Sequence, residues 1–316
     1  MSIYVKNPGP LTLLQDRGRV GVAHLGLSPS GALDRGAWEL GNRLVGNAVA
    51  TGVAGGPSVG NPAGLEILMG GLELRFISGA VVALTGAEGP VTVSAGAAAG
   101  ASQGNGSVLP WAKPTRIPAG AVLKFGPPVR GLRYYLAIRG GLLGSPLFGS
   151  LSADTLAREG SPALAEGQIL EVGPTAGTVG GGDGLESTEN YAARRAPEDG
   201  QVLKLRVSPG PRVDWFTPGA WDSLTRQIWA VSPDSNRIGV RLLGQGLERA
   251  KHTELPSEGA VRGALQVPPS GIPTVFMADH PVTGGYPVIA VVDQHDLDQL
   301  AQARPGQPLR FLAVRP

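Results

Sequence analysis

The chain has 316 residues, with 27 lysines and arginines against 25 aspartates and glutamates, and no cysteine. The missing cysteines exclude disulfides, thiolate-held clusters and a thiol nucleophile, and a net charge of +2 without a basic cluster argues against a nucleic-acid partner. The 49 glycines and 28 prolines, about a quarter of the residues, penalise helix interiors, so the expectation is a mainly β protein of two modules.

Residues 3–14 alternate as a first strand broken at Pro8-Gly9-Pro10. A polar, glycine-rich stretch (15–35) follows. Asp34 is placed to cap a helix over 37–44, whose apolar side is Trp38, Leu40 and Leu44, and Gly46-Asn47 closes it. Short β-type runs then come at 65–69, 72–77, 81–85, 91–94, 122–125 and 133–139, separated by turn residues as in a barrel or sandwich. The glycine-rich stretch 175–200 reads as a linker between an N-terminal module (1–174) and a C-terminal one (201–316), with interleaving of the two left open. Beyond it lie a strand (202–208), a helical segment (215–224) and strands at 228–232, 274–278 and 286–292. Asp293 is placed to cap a helix over 294–303, and a final strand spans 309–314.

Arg19–Gly26 (RVGVAHLG) aligns without gaps to Arg237–Gly244 (RIGVRLLG), the kind of match that a duplicated module leaves. Only four histidines occur, His24, His252, His280 and His295, none in a spacing that marks a structural zinc site. No apolar run approaches the ~18 residues of a membrane span, and the N-terminus has no signal-peptide pattern, so the expected location is the cytoplasm.

Chemistry concentrates in the loop after strand 274–278. It holds a carboxylate (Asp279), an imidazole (His280), a hydroxyl (Thr283) and the pair Gly284-Gly285, whose amides are candidates for an anion-binding nest. The alternative is a hairpin whose polar residues cap a turn.

The stretch T-G-G-Y-P at 283–287 and the close D-L-D-Q-L-A-Q-A-R-P-G-Q-P-L-R-F at 296–311 resemble the allophanate hydrolase subunit 2 family, also known as the C-type subunits of 5-oxoprolinase. Further matching pieces, in order, are Q-D-R-G-R-V-G (15–21), S-G-A-L-D-R (30–35), G-N-R-L-V-G-N (41–47), L-E-I (65–67) and L-T-G-A (84–87). The series continues with R-Y-Y-L-A-I-R-G-G (133–141), G-S-L-S (149–152), G-P-R-V-D-W-F (210–216) and S-N-R-I-G-V-R-L (235–242), then S-E-G (257–259) and Q-V-P-P-S-G (266–271). The family is related to part of urea carboxylase, and the resemblance implies two cyclophilin-like β-barrel modules with a few short helices.

It also implies one component of an ATP-dependent 5-oxoprolinase that opens a lactam to glutamate. The partners implied are a B-type component, similar to allophanate hydrolase subunit 1, and an A-type lactamase. The alternatives are carboxyl transfer in a biotin-dependent system acting on urea or allophanate, and a non-enzymatic regulator of a kinase inhibitor. Each of the two reactions activates an N–C=O group, which calls for donors aimed at the developing oxyanion. Arg237, Arg241 and the amides of Gly284 and Gly285 are the candidates, and Asp34 and Asp279 are placed to hold the amide N–H or act as base. The candidate catalytic set is Asp34, Arg237, Asp279 and His280. The candidate substrate-binding set is Arg35, Arg241, Glu258, Gln266, Thr283, Gly284, Gly285 and Tyr286. Arg is common in the family where this chain has His280, which speaks against a base there, because guanidinium does not deprotonate. The chain has no G-x-x-x-x-G-K-[ST] loop and no carrier lysine in an M-K-M context, so ATP and biotin are expected to be handled elsewhere in a complex.

Overall fold

Short β-branched and leucine-rich runs, cut at close intervals by glycine and proline, leave room for strands and few helices. In the computed structural model, described over residues 1–49, 61–94, 106–174 and 195–314, that composition yields twenty strands and three α-helices. The chain divides into two units. The first comprises Met1–Arg19, Asp34–Ala153 and Arg158–Ala196; the second comprises Val20–Leu33, Asp154–Ala157 and Pro197–Pro316. The second unit thus takes two short excursions from the first half of the sequence. Most of the proposed linker 175–200 lies outside the described residues.

In the first unit the strands are β1 (Ser2–Pro8), β2 (Leu11–Gln15), β3 (Gly64–Leu68), β4 (Leu72–Phe76), β5 (Ala80–Glu88) and β6 (Val91–Ser94). They continue with β7 (Ser107–Val108), β8 (Thr115–Ile117), β9 (Val122–Phe125), β10 (Arg130–Ile138) and β11 (Ile169–Glu171). They form a six-stranded sheet, β11-β1-β4-β9-β6-β7, and a five-stranded one, β2-β3-β10-β5-β8. All the strand pairs are antiparallel. Closure into the expected second barrel is not seen among the described residues, where this unit has two sheets sharing one apolar core.

Alternation along β10 shows how that core is built. Tyr134, Leu136 and Ile138 join it with Ile3, Leu74 and Phe76 from the other sheet. Ala137 points the other way, to a small second core with Ala83 and the helix α1 (Arg35–Leu44). Asp34 caps α1, its Oδ1 accepting from Ala37 N at 2.8 Å, and Gly46 takes the left-handed turn just beyond (φ +77°). Gly41 sits mid-helix because a Cβ there would stand 3.1 Å from the Ala137 Cβ; the helix lies that close to its sheet.

In the second unit the strands are β12 (Leu203–Pro209), β13 (Trp229–Val231), β14 (Gly239–Leu243), β15 (Glu258–Gly259) and β16 (Ala264–Gln266). They continue with β17 (Thr274–Phe276), β18 (Thr283–Gly284), β19 (Val288–Val292) and β20 (Pro308–Ala313). Seven of them close a barrel in the order β12-β19-β16-β17-β14-β13-β20. A parallel β12–β20 pair shuts it, with Leu205 opposite Phe311. Leu203, Leu205 and Val207 alternate inward against Trp229, Leu265, Val275 and Phe311. Burying each such side chain contributes about 1.5–3 kcal/mol. Helix α2 (Pro218–Arg226) buries Ala220 and Leu224, and the Leu224 carbonyl accepts from the Trp229 indole at 3.0 Å.

Helix α3 is shorter than the sequence indicates, Leu297–Ala301. Asp293 caps nothing helical; its Oδ1 accepts from His295 N, two residues on. Asp296 turns instead to Arg206, taking N, Nε and Nη2 at 2.7, 2.9 and 3.0 Å. A strand guanidinium outcompetes the helix amides for that carboxylate. The two copies of the R-[VI]-G-V match also differ. Copy two supplies β14, whereas copy one contains only a 3-10 turn (Ala23–Leu25).

Candidate functional site

Beyond β17 the backbone keeps running beside the segment that precedes β14. Met277 N donates to the Ile238 carbonyl and Asp279 N to the Arg237 carbonyl, both at 3.0 Å. That register sets the Asp279 and Arg237 side chains face to face. Arg237 Nε and Nη2 reach Asp279 Oδ2 and Oδ1 at 2.9 Å each, and the two residues are 2% and 0% exposed, arginine first. Such a buried pair stabilises only when the remaining polar atoms are also matched. Here Thr155 N and Oγ1 donate to Asp279 Oδ2 at 2.9 and 2.7 Å, and Arg237 Nη2 donates to the Gly31 carbonyl at 2.7 Å. Gly31 and Thr155 belong to the two excursions of this unit. The ion pair therefore pins both excursions to the barrel.

A second layer lies beside it. Ser28 Oγ donates to Asp154 Oδ2 at 2.6 Å and stands 3.0 Å from Ser30 Oγ; Asp154 Oδ1 accepts from Leu156 N and Ala157 N. Ser30 N donates to the Ala278 carbonyl, and Ser30 holds a positive φ of 52°. The sequence reading missed Ser28, Asp154 and Thr155. Ser30 was visible only as a letter of S-G-A-L-D-R.

His280 is 3% exposed and stacks on Phe276, ring centroids 5.9 Å apart at 14°. Its Nδ1 is 2.8 Å from the Pro281 carbonyl, which only accepts, so the Nδ1 carries the hydrogen. Burial pushes the imidazole pKa down, and the Arg262 charge adds to this against the opposing pull of the Pro281 carbonyl and the Asp279 and Asp154 carboxylates. The ring is neutral at pH 7, with Nε2 as its acceptor. It supplies no positive charge.

The other candidates of this unit gather on a two-stranded ribbon, where Glu258 pairs with Gly284 and Gly259 with Thr283. Neither Gly284 nor Gly285 is left-handed, so the expected nest is not formed by such a turn. Gly284 instead makes room for a side chain: a Cβ there would stand 2.3 Å from Gln266 Nε2. Gln266 Nε2 donates to the Tyr286 carbonyl at 3.3 Å. Glu258 takes Arg212 Nε at 2.9 and 3.0 Å and also Arg212 Nη2, and this pairing holds its carboxyl below the usual range. Thr283, Gly285 and Tyr286 are exposed, as is Arg241 on β14. Asp34 and Arg35 belong to the first unit, at the start of α1.

Two of the matching motifs meet within the first unit. Asp16, of Q-D-R-G, accepts at Oδ1 from Gly18 N, Ser150 Oγ and Ser152 Oγ, and at Oδ2 from Leu151 N, the last three being donors of G-S-L-S. In the same unit Asn47 donates to Asn42 Oδ1 and the Ile138 carbonyl and accepts from Gly140 N, tying two more motifs together. L-E-I and S-G-A-L-D-R meet at Tyr135, whose hydroxyl donates to Glu66 at 2.7 Å and accepts from Asp34 N at 2.8 Å. Burial, seconded by Glu66 and Asp34, raises that phenol's pKa well above its ordinary value.

Residues 25–313 match the model of the carboxyltransferase domain, subdomain A and B. The chain is 35% identical to the C-type subunit of 5-oxoprolinase from Escherichia coli K12, across 96% of its own length and 88% of that protein. The solved structure of TTHA0988 superposes with a TM-score of 0.80 at 33% identity, over 98% of this chain and 55% of that one. The K. lactis urea amidolyase structure superposes at 0.83 with 25% identity, over 99% of this chain and 19% of that one. The chain therefore spans most of the E. coli protein, about half of TTHA0988 and about a fifth of the yeast protein. With the family model matching nearly its whole length, this chain belongs to the carboxyltransferase-domain family, subdomain A and B, and is a homologue of the 5-oxoprolinase C-type subunits.

Proposed function

We propose that the chain is the C-type component of an ATP-dependent 5-oxoprolinase, acting with a B-type component and an A-type lactamase to open the 5-oxoproline lactam to glutamate. The observation that carries this is the 35% identity to the E. coli protein over nearly the full length of both chains. A second reading, carboxyl transfer to a urea-type amide from carboxybiotin, draws on the family model and on the superposition with urea amidolyase.

In this reading Arg237 and Asp279 are positioning residues. A carboxylate with both oxygens engaged and no exposure keeps the loop 279–286 in place rather than touching substrate itself. Neutral His280, anchored through Nδ1, offers Nε2 as a hydrogen-bond acceptor for an amide N–H. The exposed stretch Thr283, Gly285 and Tyr286 is the surface offered to substrate or to a partner protein. Asp34, as a helix cap, and Glu258, as Arg212's partner, act through the shape of their surroundings.

A nucleotide triphosphate carries several negative charges and calls for clustered cations or a glycine-rich cradle. The cleft lined by Gly246–Arg249, His252 and Pro269–Gly271 offers one arginine, so its lining does not fit ATP, and no step is routed through ATP there.

The test is reconstitution: this chain, the B-type component and the A-type lactamase, alone and in every combination, assayed for ATP-dependent glutamate formation from 5-oxoproline. Turnover is expected only with all three present. Turnover by this chain alone at normal enzyme rates would sink the proposal. Carboxylation of urea with a biotin carboxylase and carrier, without 5-oxoproline turnover, would establish the second reading instead.

A further inference from the structure

A cleft of about 380 Å³ opens in the second unit between residues 246–249 and the turn 269–271. Its walls are fixed to one another: Leu247 N donates to the Gly271 carbonyl at 2.9 Å. Gly271 is left-handed (φ +77°), and a Cβ on it would stand 2.9 Å from the Leu247 carbonyl oxygen. Arg249, Glu248, His252 and Ser270 are among the residues that line it. Neither the ion-pair knot nor the β15–β18 ribbon uses any of them.

Arg249 is the unusual member. It donates through Nη2 to the Val267 carbonyl and lies over the Tyr286 ring, 5.9 Å from the centroid. Among the described residues no carboxylate forms an ion pair with it, and its Nε is buried without an acceptor. By contrast Arg212, Arg206 and Arg237 of the same unit each hold an acidic partner. Partial burial also pulls the Arg249 pKa down. The buried Nε is out of a ligand's reach, but the rest of the half-buried guanidinium, with only Nη2 engaged, is a recognition element for a planar oxyanion.

We propose that this cleft binds a small carboxylate, with Arg249 as its cation and His252 and Ser270 as flanking donors. The charge of the lining selects the class. Glu248 offsets Arg249, so the cleft suits a single negative charge and repels a polyanion such as a phosphate ester. Tyr286 ties the cleft to the exposed end of the 279–286 loop, through its ring under Arg249 and its carbonyl on Gln266. The inference rests on the 5-oxoprolinase reading only where 5-oxoproline, itself a carboxylate, is named as an occupant.

The imidazole NMR signal of His252 in the labelled full chain, assigned by its loss in His252→Asn, reports on the cleft. Acetate and 5-oxoproline are expected to shift it saturably, while 2-pyrrolidinone, the same lactam without a carboxylate, leaves it in place, and inorganic phosphate acts more weakly than either. Arg249→Gln should weaken the carboxylate effect about tenfold or more. Because Arg249 also holds Val267, Ser270→Glu serves as a second variant; it adds repulsion at an exposed position and should weaken binding with the His24 and His295 signals unmoved. A His252 signal indifferent to both carboxylates, or a shift that survives both variants, overturns the site, as does phosphate binding more tightly than acetate. Acetate binding without 5-oxoproline binding supports the site and counts against the proposed substrate.

Discussion

The most deeply buried carboxylates of the two units, Asp16 in the first and Asp279 in the second, are satisfied in different ways. Asp16, 1% exposed, is held by neutral donors: two serine hydroxyls and the amides of Gly18 and Leu151, at 2.6–2.7 Å. Asp279, 0% exposed, is held by a guanidinium and by Thr155. Both solve the same desolvation problem. They differ in what is left behind when the carboxylate goes. Around Asp16 the residue of the loss is a set of unmatched neutral donors. Around Asp279 it is also a buried positive charge, along with the 154–157 excursion, which loses its bonds through Thr155. Equal burial thus predicts unequal fragility.

The largest effect is therefore expected at the Asp279 knot. Asp279→Asn keeps the shape and removes the charge opposite Arg237, so unfolding stability should fall by about 3–5 kcal/mol, as when one partner of a buried pair is lost. Urea unfolding of the purified chain measures it. The double variant Arg237→Met, Asp279→Leu should recover part of the loss, since no charge is stranded, but not all of it, because Thr155 and the Gly31 carbonyl lose their partners. In the reconstituted enzyme, a positioning role predicts that turnover of the folded fraction changes modestly. A hundredfold loss of turnover at unchanged stability would assign Asp279 to the chemistry and remove it from this comparison.

Asp16→Asn should cost less, about 1–3 kcal/mol, because one amide NH₂ then faces a neutral donor such as Leu151 N. The same unfolding experiment compares the two knots directly. A loss at Asp16 equal to or larger than that at Asp279 would show that neutral donor networks, not stranded charge, set the fragility, and the contrast between the units would collapse.

These knots also show what could be read in the letters. The strand-rich fold was legible because alternation and glycine punctuation are local, as in β10 or β12, and the cap at Asp34 followed from its position before an amphipathic run. The helix at 294–303 came out too long because the sequence does not show that Arg206, some ninety residues away, claims Asp296. Closure was legible for the second unit only in outline; whether strands close a barrel or stack as two sheets depends on edge pairing such as β12 with β20. At the site, Asp279 and Arg237 were named, but Asp154, Ser28 and Thr155 were not. Hydroxyls and short acidic turns are common, and only the register of distant segments sets them against the ion pair. The Q-D-R-G and G-S-L-S pieces looked like separate signatures, yet they make one hydrogen-bonded knot.

The smallest expected effect tests what stands beside each carboxylate. After Asp16 comes Arg17; after Asp279 comes His280, whose folded pKa lies below its ordinary value of 6.5 because it is buried. Above about pH 6.5 the imidazole is neutral in both folded and unfolded chains, so this group contributes no pH dependence there. As pH falls below that value, the unfolded chain binds the proton first, and the folded state is destabilised until its own lower pKa is passed. The slope in that window is at most about 1.4 kcal/mol per pH unit. Measured between pH 7.5 and 5.5, above the range in which carboxylates titrate, the protein should lose stability on acidification, and His280→Asn should lose measurably less. A variant at Arg17, such as Arg17→Gln, should leave the slope as it is. If His280→Asn and the unsubstituted chain show the same pH slope, the imidazole is not held neutral by its burial. The Nε2 acceptor role assigned to it beside the Asp279 knot would then have to be given up.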